Sequence, residues 1–274
     1  MTAASCKNCG NNFEGKYCNI CGEKVYSQKD RSVLHILSEG MHFITHLEGT
    51  LFNTIRVIFT KPGKLSVDYC NGVRKKYFKP LSFFLLLVIL YLLFPVFEGL
   101  NMKLKYHQSN GMYGQYAKAM ADRILSEKQI SEQQLEVLYH HAGEKVSKFL
   151  LFIIIPLLAL TSWLTGFRKR KYYFDHFIFS IEMSSLFLMW GFLIFPFLLK
   201  FLMWIVPGFY VPESYSVMII YFPFIIYTML AAKRFFNFKG WYSILYAVLF
   251  SISLIIFLEL IYKFILFSIA IRMV

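Results

Sequence analysis

Four of the five cysteines fall in two matching knuckles, Cys6-Lys7-Asn8-Cys9-Gly10 and Cys18-Asn19-Ile20-Cys21-Gly22, with eight residues between Cys9 and Cys18. Four thiolates delivered as two CxxC pairs match the tetrahedral preference of zinc. Gly10 and Gly22 can turn with positive φ and aim amide N–H groups at the sulfurs, and Gly15 suits the bend of the spacer. With only Phe13, Tyr17 and Val25 as a miniature core, this segment buries too little surface to fold unaided. Metal binding, of order 10 kcal/mol, must supply the difference. Four cysteine ligands leave no open coordination position, so Cys6, Cys9, Cys18 and Cys21 predict one structural Zn2+ per chain. Lys7, Lys16 and Lys24 offset the thiolate charge. Two disulfides or a redox CxxC compete with this reading, but they call for an exported N-terminus or a βαβ context, and neither a secretory signal nor that pattern is found. Cys70 stands alone and reads as a small packing residue.

A second set of chemistry-bearing residues lies on helical patterns. Residues 32–60 place Leu34, Leu37, Met41, Ile44, Leu47, Leu51, Ile55 and Ile58 at steps of three and four, an amphipathic stripe suited to an interface. His35, Glu39, His42 and His46 fall on the opposite face, as a solvated surface or a potential metal-ligand set. Asp175-His176 opens a later apolar run, and Glu182, seven residues on, shares the face of Asp175. An ionisable group inside such a run is costly in lipid, so Glu182 predicts either a proton or cation site or a hydrogen-bonded strut across a bundle. Glu259 and Lys263, four apart, predict an ion pair.

These residues must be positioned by membrane helices. The 274 residues are 57% hydrophobic and 19% aromatic, too apolar for an ordinary soluble domain. Apolar runs predict an all-α membrane protein with about five transmembrane helices at 81–97, 149–167, 177–199, 217–232 and 241–267. Residues 201–210 read as a half-inserted continuation of the third span, or a sixth span if they re-enter fully. The expected organisation is a zinc ribbon over 1–26, interfacial amphipathic helices and a basic juxtamembrane segment over 27–80, and a bundle over 81–274. In the loop 98–148, Ala117 to Ser126 reads as helix, and Ser131-x-x-Gln134 as a capping box that starts a helix running into the second span.

The net charge of +13 does not predict nucleic-acid binding, because the basic residues crowd the ends of apolar runs, as in Arg74-Lys75-Lys76 and Arg168-Lys169-Arg170-Lys171. Nineteen of the 29 Lys and Arg fall before the first span, between the second and third, and between the fourth and fifth. That asymmetry predicts a cytoplasmic N-terminus, an extracytoplasmic C-terminus and cysteines in a reducing compartment.

The two CxxCG motifs, His42-x-x-x-His46, Pro62-Gly63, Tyr69, Gly72, Arg74, Tyr77-Phe78, Pro80 and Asp175-His176 occur in an order that resembles an uncharacterised bacterial (Bacteroidetes-type) family of zinc-ribbon multi-pass membrane proteins, the domain of unknown function 3667. The likeness covers most of the chain and is strongest over residues 6–90. It implies an integral membrane protein of the bacterial inner membrane with no assigned activity. It further implies a histidine where this chain carries Glu182, an exchange that keeps a ligand type but changes its charge. Three functions follow as expectations: a membrane-anchored zinc-ribbon interaction or regulatory module with a cytoplasmic protein partner, a transporter or channel-like protein using Glu182, and an intramembrane metalloenzyme built from the His, Asp and Glu residues. No catalytic residue is assigned, and lipid is the expected surrounding.

Overall fold

The computed structural model describes residues 4–6, 9–15, 17–20, 49–93, 102–206 and 208–274, and the chain divides into two compact units, Met1–Thr50 and Leu51–Val274. The first unit holds a two-stranded antiparallel ribbon, β1 (Ala4–Ser5) and β2 (Asn12–Phe13), in register Ala4 with Phe13 and Ser5 with Asn12.

The second unit is helical. The described part of helix α1 covers 49–60, and Lys61-Pro62-Gly63 then breaks the chain before α2 (Lys64–Cys70). Pro62 cannot continue a helix ladder, and Gly63 adopts φ 73°, a left-handed conformation that strains any residue with a Cβ. Helix α3 (Pro80–Leu93) starts on a proline, whose missing N–H costs nothing in a first turn. Next come α4 (Leu104–Gln108), α5 (Gly114–Lys128) and α6 (Glu132–Gly166). The capping box forms: Ser131 Oγ accepts from Gln134 N at 3.3 Å, and Ser131 N donates to Gln134 Oε1 at 3.0 Å. One 35-residue helix therefore runs from a polar start into the apolar stretch 153–166.

Helix α7 (Tyr173–Phe187) passes through a π-helical turn, Leu188–Ile194, into α8 (Phe195–Ile205). Pro196 lacks an N–H and its ring would crowd the carbonyl one turn back; the wider π turn just before it relieves that conflict. The stretch 201–205 thus extends this helix, and residues 208–212 are irregular. Helix α9 (Glu213–Phe236) ends at Asn237 in the left-handed region, and α10 (Gly240–Ile256) continues through a second π turn, Phe257–Tyr262, into α11 (Lys263–Ala270).

Three of these helices are long and apolar enough to cross a membrane: Tyr173–Ile205, Tyr215–Phe236 and Gly240–Ala270. The shortest of the three has 22 residues, and at 1.5 Å per residue it reaches about 33 Å, against a hydrocarbon core of about 30 Å. The other two expected spans correspond to shorter apolar helices, Pro80–Leu93 and Ile153–Gly166. The former runs up to residues outside the described set, and the latter is the apolar end of α6. Large apolar side chains point outward along the spans, with Trp204 79% and Phe222 59% exposed, as on a surface that meets lipid rather than water.

The core is aromatic. Phe179 of α7 packs on Phe235, Phe236, Tyr246 and Phe250 with ring centroids 5.1–6.0 Å apart, binding α7, α9 and α10. A satellite core joins the loop helices to the C-terminal helix, with Tyr139 and Tyr113 against Phe267, and Ala117 and Ala121 alongside.

Candidate functional site

The cysteine site is built by the ribbon. Cys6 N donates to Asn11 O at 2.8 Å and Gly10 N to Cys6 O at 2.9 Å, a tight knuckle that needs the φ of 74° at Gly10. Gly15, at φ 118°, turns the spacer back, and Asn11 Nδ2 donates to Asn19 Oδ1 at 2.8 Å to hold its two ends together. Cys6, Phe13 and Cys18 are buried against one another. The ligand atoms of Cys6, Cys9 and Cys18 all lie within 4.8 Å of one another, and Cys9 Sγ is 3.6 Å from Cys18 Sγ. Bonds of about 2.3 Å to a tetrahedral metal set a sulfur–sulfur edge of about 3.8 Å, so the spacing fits thiolates sharing one ion. Three cysteines are therefore placed to hold a metal. The predicted fourth ligand, Cys21, lies outside the described residues, as do His35, Glu39, His42 and His46.

Asp175, His176 and Glu182 are all described, and the structure does not gather them. Among the described residues the only group of three or more His, Cys, Asp and Glu side chains close enough to hold a metal is the cysteine trio. Each of the other three is committed to partners within the protein.

Glu182 is buried in the second unit, where four donors converge on its carboxylate. Oε1 accepts from Gly63 N at 3.0 Å and from the Tyr227 hydroxyl at 3.2 Å. Oε2 accepts from Ser66 N at 2.8 Å and from the Ser66 hydroxyl. Gly63 is the N-cap of α2 and Ser66 its third residue, and no local side chain caps that helix. Glu182 thus supplies from α7 the acceptor that a neighbouring Ser, Thr, Asp or Asn normally provides, and it sits at the positive end of the helix dipole. Gly63 also seats the turn against α9: a Cβ there would lie 2.7 Å from the Ala231 carbonyl oxygen. Arg234 of α9 donates to the Pro62 carbonyl.

His176 is fully buried and has both ring nitrogens engaged. Nε2 is 2.9 Å from the Arg170 carbonyl, which can only accept, so the ring proton sits on Nε2. Nδ1 then accepts from Ser162 Oγ at 2.9 Å, and Ser162 Oγ is 2.7 Å from the Tyr246 hydroxyl. The ring stacks on Phe236 at 5.3 Å. Gly166 leaves the room for this; a Cβ there would meet both rings at 3.0–3.1 Å. Asp175 pairs with Arg170 at 3.3 Å, and Arg170 lies over the Phe235 ring at 4.6 Å.

A third network ties α1 and α2 to the segment 76–78 that precedes α3. Asp68 accepts from the Tyr77 hydroxyl and pairs with Lys64 at 3.1 Å. Burial opposes its charge, but these hydrogen bonds outweigh burial and hold its carboxyl below the usual range. Thr54 Oγ1 accepts from Phe78 N at 2.9 Å, and Asn53 Nδ2 donates to Lys76 O at 2.9 Å. Arg74 lies over Tyr69 and Phe174 at 5.1 and 5.9 Å. Burial first, and Asp175 second, push the Cys70 thiol up to about 12, which suits a packing role.

The sequence singled out Glu182 and His176 and marked Pro62-Gly63 as a motif without linking it to Glu182; it missed Ser66, Tyr227, Ser162 and Tyr246. The available signals were the unpaired start of α2 after Pro62-Gly63, and the rule that a carboxylate in an apolar helix must find donors.

No curated protein and no solved structure matches the chain. Residues 48–92, which hold Gly63, Ser66, Asp68 and Tyr77, match the family described as "Protein of unknown function (DUF3667)".

Proposed function

We propose that this chain is a multi-pass protein of the bacterial inner membrane whose ribbon, residues 1–26, binds one Zn2+ through Cys6, Cys9, Cys18 and Cys21 and serves in the cytoplasm as an interaction or regulatory module. The observation that carries this is the convergence of Cys6, Cys9 and Cys18 at the spacing of shared metal ligands. A site made of cysteines alone presents a surface rather than an open coordination position. The membrane unit supports a scaffold: the buried Glu182 and His176 spend their hydrogen-bonding atoms on other parts of the chain, leaving neither poised for an ion or a substrate.

Five spans with the N-terminus inside is the topology this reading takes. Its support is that Arg234 donates to Pro62, Arg170 to Phe235 and Tyr242 to Thr165 at one end of the bundle, while α4, α5 and the start of α6 join α11 at the other. The first end carries Arg168-Lys169-Arg170-Lys171, Lys233, Arg234 and Lys239, the basic excess of a cytoplasmic face.

The experiment compares quantitative pull-downs of the full chain and of residues 27–274 from solubilised bacterial membranes. The reading expects both chains in the membrane and a defined set of partners lost with the ribbon. An unchanged partner list would overturn it.

A further inference from the structure

Between the α6–α7 turn and the α9–α10 turn lies a cleft of about 730 Å3. Arg168, Lys169 and Lys239 stand around it, Phe167, Trp241 and Tyr242 line its apolar side, and among the described residues no acidic side chain is in its walls. The cleft is a formed feature of the fold: the Tyr242 hydroxyl donates to the Thr165 carbonyl at 3.1 Å, fixing one wall against the other, and Phe238 meets Tyr242 edge-on at 4.6 Å within the α9–α10 wall. Its volume falls in the range of about 300–1,000 Å3 typical of ligand sites.

We propose that this cleft binds the headgroup of an anionic phospholipid. Three exposed cations without a lining carboxylate attract a phosphodiester, and the start of α10 adds backbone N–H groups facing the same way as its dipole. The occupant is a lipid rather than a free anion because the apolar wall does not stop at the cleft. Leu164 and Leu160 on α6 and Trp241, Ile244 and Leu245 on α10 are exposed in sequence along the spans, a track for an acyl chain. Tryptophan and tyrosine at this level are the usual residues of a membrane interface.

The proposal rests on the reading that these helices lie in a bilayer, so native membranes are first washed with alkaline carbonate; a chain that is extracted fails both. Full-length protein in neutral detergent is then offered equal amounts of phosphatidylglycerol and phosphatidylcholine, and bound lipid is counted by native mass spectrometry. The wild type is expected to prefer phosphatidylglycerol by on the order of a hundredfold, given about 1 kcal/mol for each of the three basic residues at such a surface. Arg168→Gln/Lys169→Gln/Lys239→Gln should erase the preference and Lys169→Arg/Lys239→Arg should keep it, with thermal unfolding followed for both. No preference in the wild type, or one unchanged in the triple variant, overturns the proposal. Loss of the preference in millimolar inorganic phosphate assigns the cleft to a free anion and overturns it equally.

Discussion

Oε2 of Glu182 accepts both the backbone N–H and the hydroxyl of Ser66, a residue 116 positions earlier in the chain. The pair pins a short helix, broken from α1 by Pro62-Gly63, to the side of a long apolar one. Removing the carboxylate leaves two backbone donors and two hydroxyls buried without their acceptor, at about 1–3 kcal/mol for each unsatisfied group. Glu182→Ala should therefore lower stability by more than about 3 kcal/mol, with Glu182→Gln intermediate because its amide can accept only through its carbonyl. Thermal unfolding in detergent checks this. A melting curve for Glu182→Ala that overlays the wild type would refute the clasp.

Gly63 supplies the backbone half of the same contact. A side chain at φ 73° costs about 1–2 kcal/mol in strain, and the Cβ would press on the Ala231 backbone, which has no flexible end to yield. Gly63→Ala is expected to destabilise by at least that amount and to expose the 61–70 backbone to hydrogen exchange. Unchanged exchange there would show that the turn does not seat as described.

How much of this was legible in the sequence differs from residue to residue. The Ser131–Gln134 capping box and the first CxxC knuckle, Cys6 to Gly10, are local, set by residues within a few positions of one another, and both fold as their spacing implies. The long apolar runs mark the three spans for the same reason, since hydropathy is a property of contiguous chain. Periodicity placed Asp175 and Glu182 on one face, yet Asp175 turns to Arg170 while Glu182 reaches Gly63 and Ser66. Those partners are chosen by how α2 docks on α7 and α9, and the pairing of distant segments leaves no periodic trace. The face bearing His35, Glu39, His42 and His46 lies outside the described residues.

His107 gives a pH dependence. It is buried with Nδ1 2.8 Å from the Tyr113 hydroxyl and its ring 5.5 Å from Phe267. Burial, reinforced by Lys263, pushes its pKa down to about 4 from 6.5. The unfolded chain binds a proton between these values and the folded chain does not, so stability is fully present above about 6.5 and falls as pH drops toward 4. The loss approaches about 3 kcal/mol from this group. Hydrogen exchange over 102–145 should quicken across that window in the wild type, and more shallowly in His107→Phe. Identical pH profiles would remove the assignment.

Cys70 should be inert. With its thiol pushed up to about 12 by burial and by Asp175, almost none is thiolate near neutrality. A maleimide at pH 7.5 is expected to label Cys70 in a variant lacking the other cysteines only after denaturation. Rapid labelling of the folded protein would mean that the residue is open and reactive.

The most direct test of the whole account is the metal content of the purified full-length chain. One zinc per chain is expected, falling to none in Cys9→Ser, while Glu182→Gln and His176→Gln keep it. Zinc that survives Cys9→Ser, or metal that is lost with Glu182 or His176, would place the metal centre elsewhere and contradict the ribbon.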